Sequence, residues 1–141
     1  MRVLIDTNVL VSYLVQPGRE GAVGTVIHAA LEGQFILLMP EALLNELMVT
    51  VRDKPRLAKR IPFQELETFA TLLAQSGERV AKITEPFPAV TRDRNDDYLL
   101  AYAQVGAADY LVTGDRDLLV LNGQIAGLTI LTPAQIAVLL T

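Results

Sequence analysis

The apolar positions of this chain fall into short dense runs separated by longer stretches with helical spacing. The runs are Arg2–Ile5, Phe35–Met39, Arg79–Ile83, Tyr110–Val112 and Leu128–Leu131. Consecutive apolar positions of this kind mark strands covered on both faces. Between them, Val9–Val15, Ala22–Leu31, Glu41–Val51, Phe63–Gln75 and Asp96–Val105 carry the helical pattern, and Pro133 opens a last helix to Leu140. The punctuation agrees. Pro40 and Pro62 stand where helices start, and Gly33, Gly77 and Gly106 stand where they stop. Asp53–Arg60 and Glu85–Arg94 are expected to be irregular. Strands alternating with helices predict an α/β fold with a parallel sheet covered by helices.

Composition narrows the chemistry. The 141 residues suit a single domain spanning 1–141, and 51% apolar with 20% charged residues is globular composition. Cysteine is absent, which excludes disulfides, thiolate metal sites and Cys nucleophiles. The single histidine, His28, excludes two-His zinc motifs; its place inside a helix points to a structural role. A net charge of −4 argues against a generic basic nucleic-acid binder. The opening MRVLID reaches a carboxylate at position 6, too early for a signal-peptide apolar region, so a cytoplasmic protein is expected. After Asp117 no charge occurs through Thr141, but Asn122, Gly123, Gln124, Gly127, Pro133 and Gln135 interrupt the run. It reads as a buried strand and a helix, not a membrane span.

The acids are placed unevenly: six of sixteen lie between Asp93 and Asp117. In open α/β sheets, ligands bind beyond the carboxyl ends of the strands. Asp6 directly follows the strand VLI. Asp115 and Asp117 follow YLV across the Thr113-Gly114 turn. Asp96 stands at the expected start of a helix, where alone it reads equally as an N-cap. Glu46 lies off the polar stripe of Glu41, Asn45 and Arg52, beside apolar Ala42, Leu43 and Val49. Alone it reads equally as a flank residue reaching solvent. Taken together, Asp6, Glu46, Asp96, Asp115 and Asp117 form one candidate constellation. Two carboxylates ~4 Å apart repel by roughly 4 kcal/mol at an effective dielectric near 20, so an ionised cluster needs a cation. Without His or Cys donors, the ion expected is Mg²⁺ or Mn²⁺, one or two of them, which suits hydrolysis of phosphodiesters.

The segments MRVLIDTNVLVSYLV, PEALLNEL, RDRNDDYLLAYA and ADYLVTGDRDLL, with the final LTPAQ helix, resemble the PIN-domain family. The likeness is to the VapC-like ribonuclease components of toxin–antitoxin pairs, and it runs over nearly the whole chain. It implies a three-layer α/β/α fold with a central, mostly parallel sheet of about five strands. It also implies a metal-dependent endoribonuclease acting on single-stranded or structured RNA, an antitoxin partner and a homodimer. Carried over by position, the catalytic and metal-holding acids are Asp6, Glu46, Asp96 and Asp115, with Asp117 beside them. Asn8 and Thr113 support the site. The third acid is chosen among Asp93, Asp96 and Asp97. The family's acid lies eleven residues before the Gly of a Gly-Ala-Asp turn, here Ala107-Ala108-Asp109, which selects Asp96. Asp97 then suits the first helical turn.

Weaker signals surround these. Arg52, Lys54, Arg56, Lys59 and Arg60 fall within nine residues and read as phosphate contacts or as a solvated charged turn. Arg92, Arg94 and Arg116 adjoin the acids and either grip the scissile phosphate or balance charge. Tyr98 and Tyr102, one helical turn apart, read as packing. Two other readings compete. A Mg²⁺-binding phosphoacceptor domain would want a Lys after a later strand, and none occurs after Lys82. A non-catalytic PIN-like RNA-binding module would show a broken acid set.

Overall fold

The computed structural model describes residues 1–16 and 21–140. Five strands form one parallel sheet: β1 (Arg2–Ile5), β2 (Ile36–Pro40), β3 (Glu78–Val80), β4 (Tyr110–Val112) and β5 (Thr129–Leu131), in the order β3-β2-β1-β4-β5. The central strand is the most apolar. Val3, Leu4 and Ile5 are wholly buried, each contributing roughly 1.5–3 kcal/mol by burial.

Eight helices lie among the described residues. They are α1 (Thr7–Val15), α2 (Gly21–Leu31), α3 (Glu41–Asp53), α4 (Pro55–Arg60), α5 (Phe63–Ser76), α6 (Arg94–Val105), α7 (Arg116–Leu119) and α8 (Pro133–Leu139). The chain steps outward from β1 to β2 to β3, then crosses back to β4 and β5. Right-handed crossovers therefore put α1 to α5 on one face and α6 and α7 on the other, giving three layers. The reversal falls between β1 and β4. That is a topological switch point, where a crevice opens at the carboxyl ends of the strands.

Several boundaries differ from expectation. The run Arg79–Ile83 pairs only over Glu78–Val80, because its partner β2 ends at Pro40 and α3 starts at once. β2 itself runs one residue later than read, and β5 begins at Thr129. The segment expected to be irregular after Asp53 contains α4. Pro55 stands in its first turn, and buried Leu57 and Ile61 fasten it to the core while its basic residues stay exposed. The short helix α7 was not read from the pattern; four residues carry too little periodicity. The uncharged tail folds as β5 and α8, the latter opened by a capping box between Thr132 and Gln135 and packed on α2. No helix among the described residues is long and apolar enough to cross a membrane.

A Cβ on Gly77 would stand 2.6 Å from Met39 Cβ and 2.8 Å from the Leu73 carbonyl oxygen, so only glycine lets the end of α5 approach β2 this closely. The end of α6 also lies close to β2: a Cβ on Gly106 would stand 2.9 Å from Leu38 Cδ1. Arg2 then clips this end in place: Nε and Nη2 donate to the Gly106 carbonyl at 3.0 and 2.8 Å, and the guanidinium pairs with Glu78.

Candidate active site

Strand register assembles the first half of the site. Ile5 pairs with Val112, and the Asp6 amide donates to the Val112 carbonyl at 2.9 Å. The residues that follow these strands, Asp6 and Thr113, are thereby neighbours. The buried Thr113 hydroxyl donates to Asp6 Oδ2 at 2.7 Å and accepts from the Asp115 amide at 3.0 Å. One hydroxyl thus ties the acids that follow β1 and β4. Each acid also caps the helix behind it. Asp6 Oδ1 accepts the Asn8 amide at 3.4 Å and Asp115 Oδ1 the Asp117 amide at 2.9 Å. Asn8 therefore supports Asp6 through its backbone; its residue is exposed.

The other two acids come from opposite layers. Glu46 projects from α3 and Asp96 from the first turn of α6. The N-cap of α6 is Asp93, whose Oδ1 accepts the Asn95 amide at 2.8 Å. Asp96 is consequently not the cap, and its carboxyl is left over for another purpose. Its Oδ2 is buried without a hydrogen-bond partner. The register that selected Asp96 has a backbone counterpart: Ala107, in the position where the resemblance expects glycine, has φ +53°.

Burial and neighbouring charge raise three of these acids, with Asp6 as the common neighbour. Burial pushes the Asp96 carboxyl up to about 7, helped by the charges of Asp115, Asp93 and Asp6. Burial likewise raises Asp6, against the Thr113 hydroxyl and the Asn8 amide, with the Asp115 charge adding to the rise. Glu46 is exposed by surface area, yet protein crowds its carboxyl enough that desolvation raises it. The Thr7 hydroxyl opposes that rise, and Asp6 and Asp93 add to it. Thr7 Oγ1 is itself buried and reaches toward Glu46 without closing a hydrogen bond. Thr7 was not singled out in the sequence. Its only signal is its place between Asp6 and Asn8.

Not every candidate joins them. Asp117 is exposed and turns to Arg92 at 3.5 Å. Asp97 faces away, accepting the Val90 and Thr91 amides at 2.8 and 2.7 Å; those bonds and the Arg94 charge outweigh its desolvation and hold it below the usual carboxylate range. His28 hydrogen-bonds to the Tyr13 hydroxyl at 3.2 Å, a structural contact. Arg52, Lys54, Arg56 and Arg116 are exposed. Tyr102 is buried, and its hydroxyl lies 2.8 Å from that of Tyr98, so this pair packs as read.

The PIN-domain family model matches residues 2–117. The chain belongs to the PIN-domain family. No curated protein matches it. A solved structure that this PIN-domain chain resembles is that of VapBC2 from Rickettsia felis bound to a DNA fragment from their promoter. The identity is 13%, 94% of this chain and 98% of that one are covered, and the TM-score is 0.59. At that identity the likeness speaks for the fold.

The donor chemistry of the site fits a hard divalent cation. All donors are carboxylate oxygens, one buried oxygen lacks a partner, and one carboxyl is pushed toward neutrality by burial and by its neighbours' charges. As the side chains stand, no three His, Cys, Asp or Glu residues among those described are grouped to hold one ion.

Proposed function

We propose that this PIN-domain chain is a metal-dependent endoribonuclease and the toxin of a toxin–antitoxin pair. The observation that carries the reading is the buried, unpartnered Asp96 oxygen within electrostatic reach of Asp115 and Asp6 at the switch point of the sheet. Asp6, Glu46, Asp96 and Asp115 would hold one or two Mg²⁺ or Mn²⁺ ions. When bound, a divalent cation lowers the pKa of water and offsets the charge that develops on a phosphate under attack. The chain's own part is positioning. Thr113 fixes Asp6 and the backbone of Asp115, the start of α6 presents Asp96, and α3 brings Glu46 from the opposite layer. Arg92 and Arg116 at the rim would meet RNA phosphates. An acid at each of the four matched positions speaks against a non-catalytic module, and family membership leaves the phosphoacceptor reading without support.

The partner reading rests on the VapBC2 neighbour, solved as a complex with promoter DNA. A groove lined by Tyr13, Leu31, Pro62, Phe69 and Leu72, with Gln64, Glu65 and Thr68 among them, is a mainly apolar surface suited to an antitoxin segment. A homodimer in the cytoplasm completes the proposal.

The test is cleavage of total RNA by the purified chain with Mg²⁺ or Mn²⁺. Activity is expected to vanish with EDTA. Asp6→Asn and Asp96→Asn should each abolish it while the circular dichroism spectrum stays native. Wild-type cleavage by either variant would overturn the site assignment.

A further inference from the structure

The segment before α6 carries an aromatic and cationic stack that the catalytic reading does not use. Phe87, between Pro86 and Pro88, packs its ring against Tyr98 with centroids 5.2 Å apart at 64°. Tyr98 in turn meets Tyr102 edge-on, at 4.7 Å and 79°. On the outside, the Arg94 guanidinium lies over the Phe87 ring, 4.6 Å from its centroid. Arg94, Tyr98 and Tyr102 follow one another at intervals of four on α6, so helix geometry places them in one row. The row ends at the same turn as Asp96, around the helix from it.

Arg94 is exposed, and among the described residues it closes no ion pair or hydrogen bond; its guanidinium lies on the ring. The segment beneath it is held. Asp97 takes the Val90 and Thr91 amides, Thr91 Oγ1 donates to the Asp93 carbonyl at 2.7 Å, and Arg92 reaches Asp117. A flat, weakly hydrated cation lying on an anchored aromatic ring, with donors left free at its edge, matches what nucleobase stacking requires.

We infer that Arg94 and Phe87 form a stacking platform for one base of single-stranded RNA flanking the cleaved linkage. The inference rests on the ribonuclease reading above. Arg94 supplies the stacking plane and its free N–H edge reaches the adjoining phosphate. Phe87 supports it from below, and Tyr98 and Tyr102 support Phe87.

The experiment measures binding of a short fluorescein-labelled single-stranded RNA to the full chain carrying Asp96→Asn, which prevents cleavage. Abasic nucleotides are placed at each position in turn. Arg94→Ala and Phe87→Ala are expected to weaken binding by about 5- to 100-fold, the range of one stacked base. One abasic position should weaken binding to the parent protein and have no further effect in Arg94→Ala. Phe87→Trp should retain affinity, which a loosened segment would not. RNA binding that is unchanged in Arg94→Ala, or lowered without any dependence on abasic position, overturns the platform and leaves the ribonuclease reading standing. Failure of the parent protein to bind RNA at all overturns both.

Discussion

At the scale of single residues, Thr113 does most of the positioning. It is fully buried, its hydroxyl is shared between the Asp6 carboxylate and the Asp115 amide, and it lies at the join of the two strands that form the switch point. Thr113→Val keeps the shape and removes both bonds. We expect a loss of roughly 1–3 kcal/mol in urea-unfolding stability, the cost of stranding two buried polar groups. A change below a few tenths of a kcal/mol would show that the hydroxyl is dispensable. The positions of Asp6 and Asp115 past the ends of β1 and β4 were legible in the sequence, Asp6 directly after an apolar run and Asp115 across the Thr113-Gly114 turn. Asp96 was legible only through its spacing to Ala107. The rival N-cap reading fell because Asp93, three residues earlier, takes the cap. Nothing local distinguishes those two aspartates; the start of α6 decides between them. Asp117, expected beside the acids, turns outward because Arg92 stands across from it.

At the scale of elements, the strands and long helices followed from apolar spacing, and the differences have local causes. β3 is cut short by the end of its partner, and α4 forms where irregular chain was expected. Two buried side chains, Leu57 and Ile61, outweigh five bases that lose nothing by staying in water. That arrangement sets the basic residues on one short helix and the end of α3, with their charges exposed. If they meet RNA phosphates, neutralising Arg52, Lys54 and Arg56 should flatten the plot of log binding constant against log salt by about 2, at about 0.7 per contact on a single strand. An unchanged slope would mean that the run is a solvated charged surface.

At the scale of the whole molecule, burial raises Asp96, Asp6 and Glu46 in the same direction. Without a cation, the folded chain holds the Asp96 proton up to about pH 7, whereas the unfolded chain, with an ordinary value of 3.8, has released it. The folded state therefore binds more protons across that window, and stability falls as pH rises from about 4 to about 7. Asp6 and Glu46, raised by the same burial, act in the same direction. Asp97 and Glu78 are held low, so their contribution is lost only at more acidic pH. The thermal midpoint of the chelated protein should decline over this range, the decline should shrink in Asp96→Asn, and Mg²⁺ should oppose it. A midpoint that rises steadily from acid to neutral pH would contradict that direction.

Local order was already written in the chain, because the periods of helix and strand and the residues that cap or break them act between near neighbours. It determined the α/β class, the central apolar strand, the absence of soft metal donors and the acids poised after β1 and β4. The tertiary structure decided which distant groups meet. The sheet reverses between β1 and β4, so α3 and α6 lie on opposite layers and bring Glu46 and Asp96 toward the same crevice. It also decided that Asp96 loses its water without gaining a partner, while Asp97, the next residue, binds two loop amides. The physical reason is that desolvation and long-range charge depend on what the rest of the molecule places around a side chain, and adjacent residues on a helix face different surroundings.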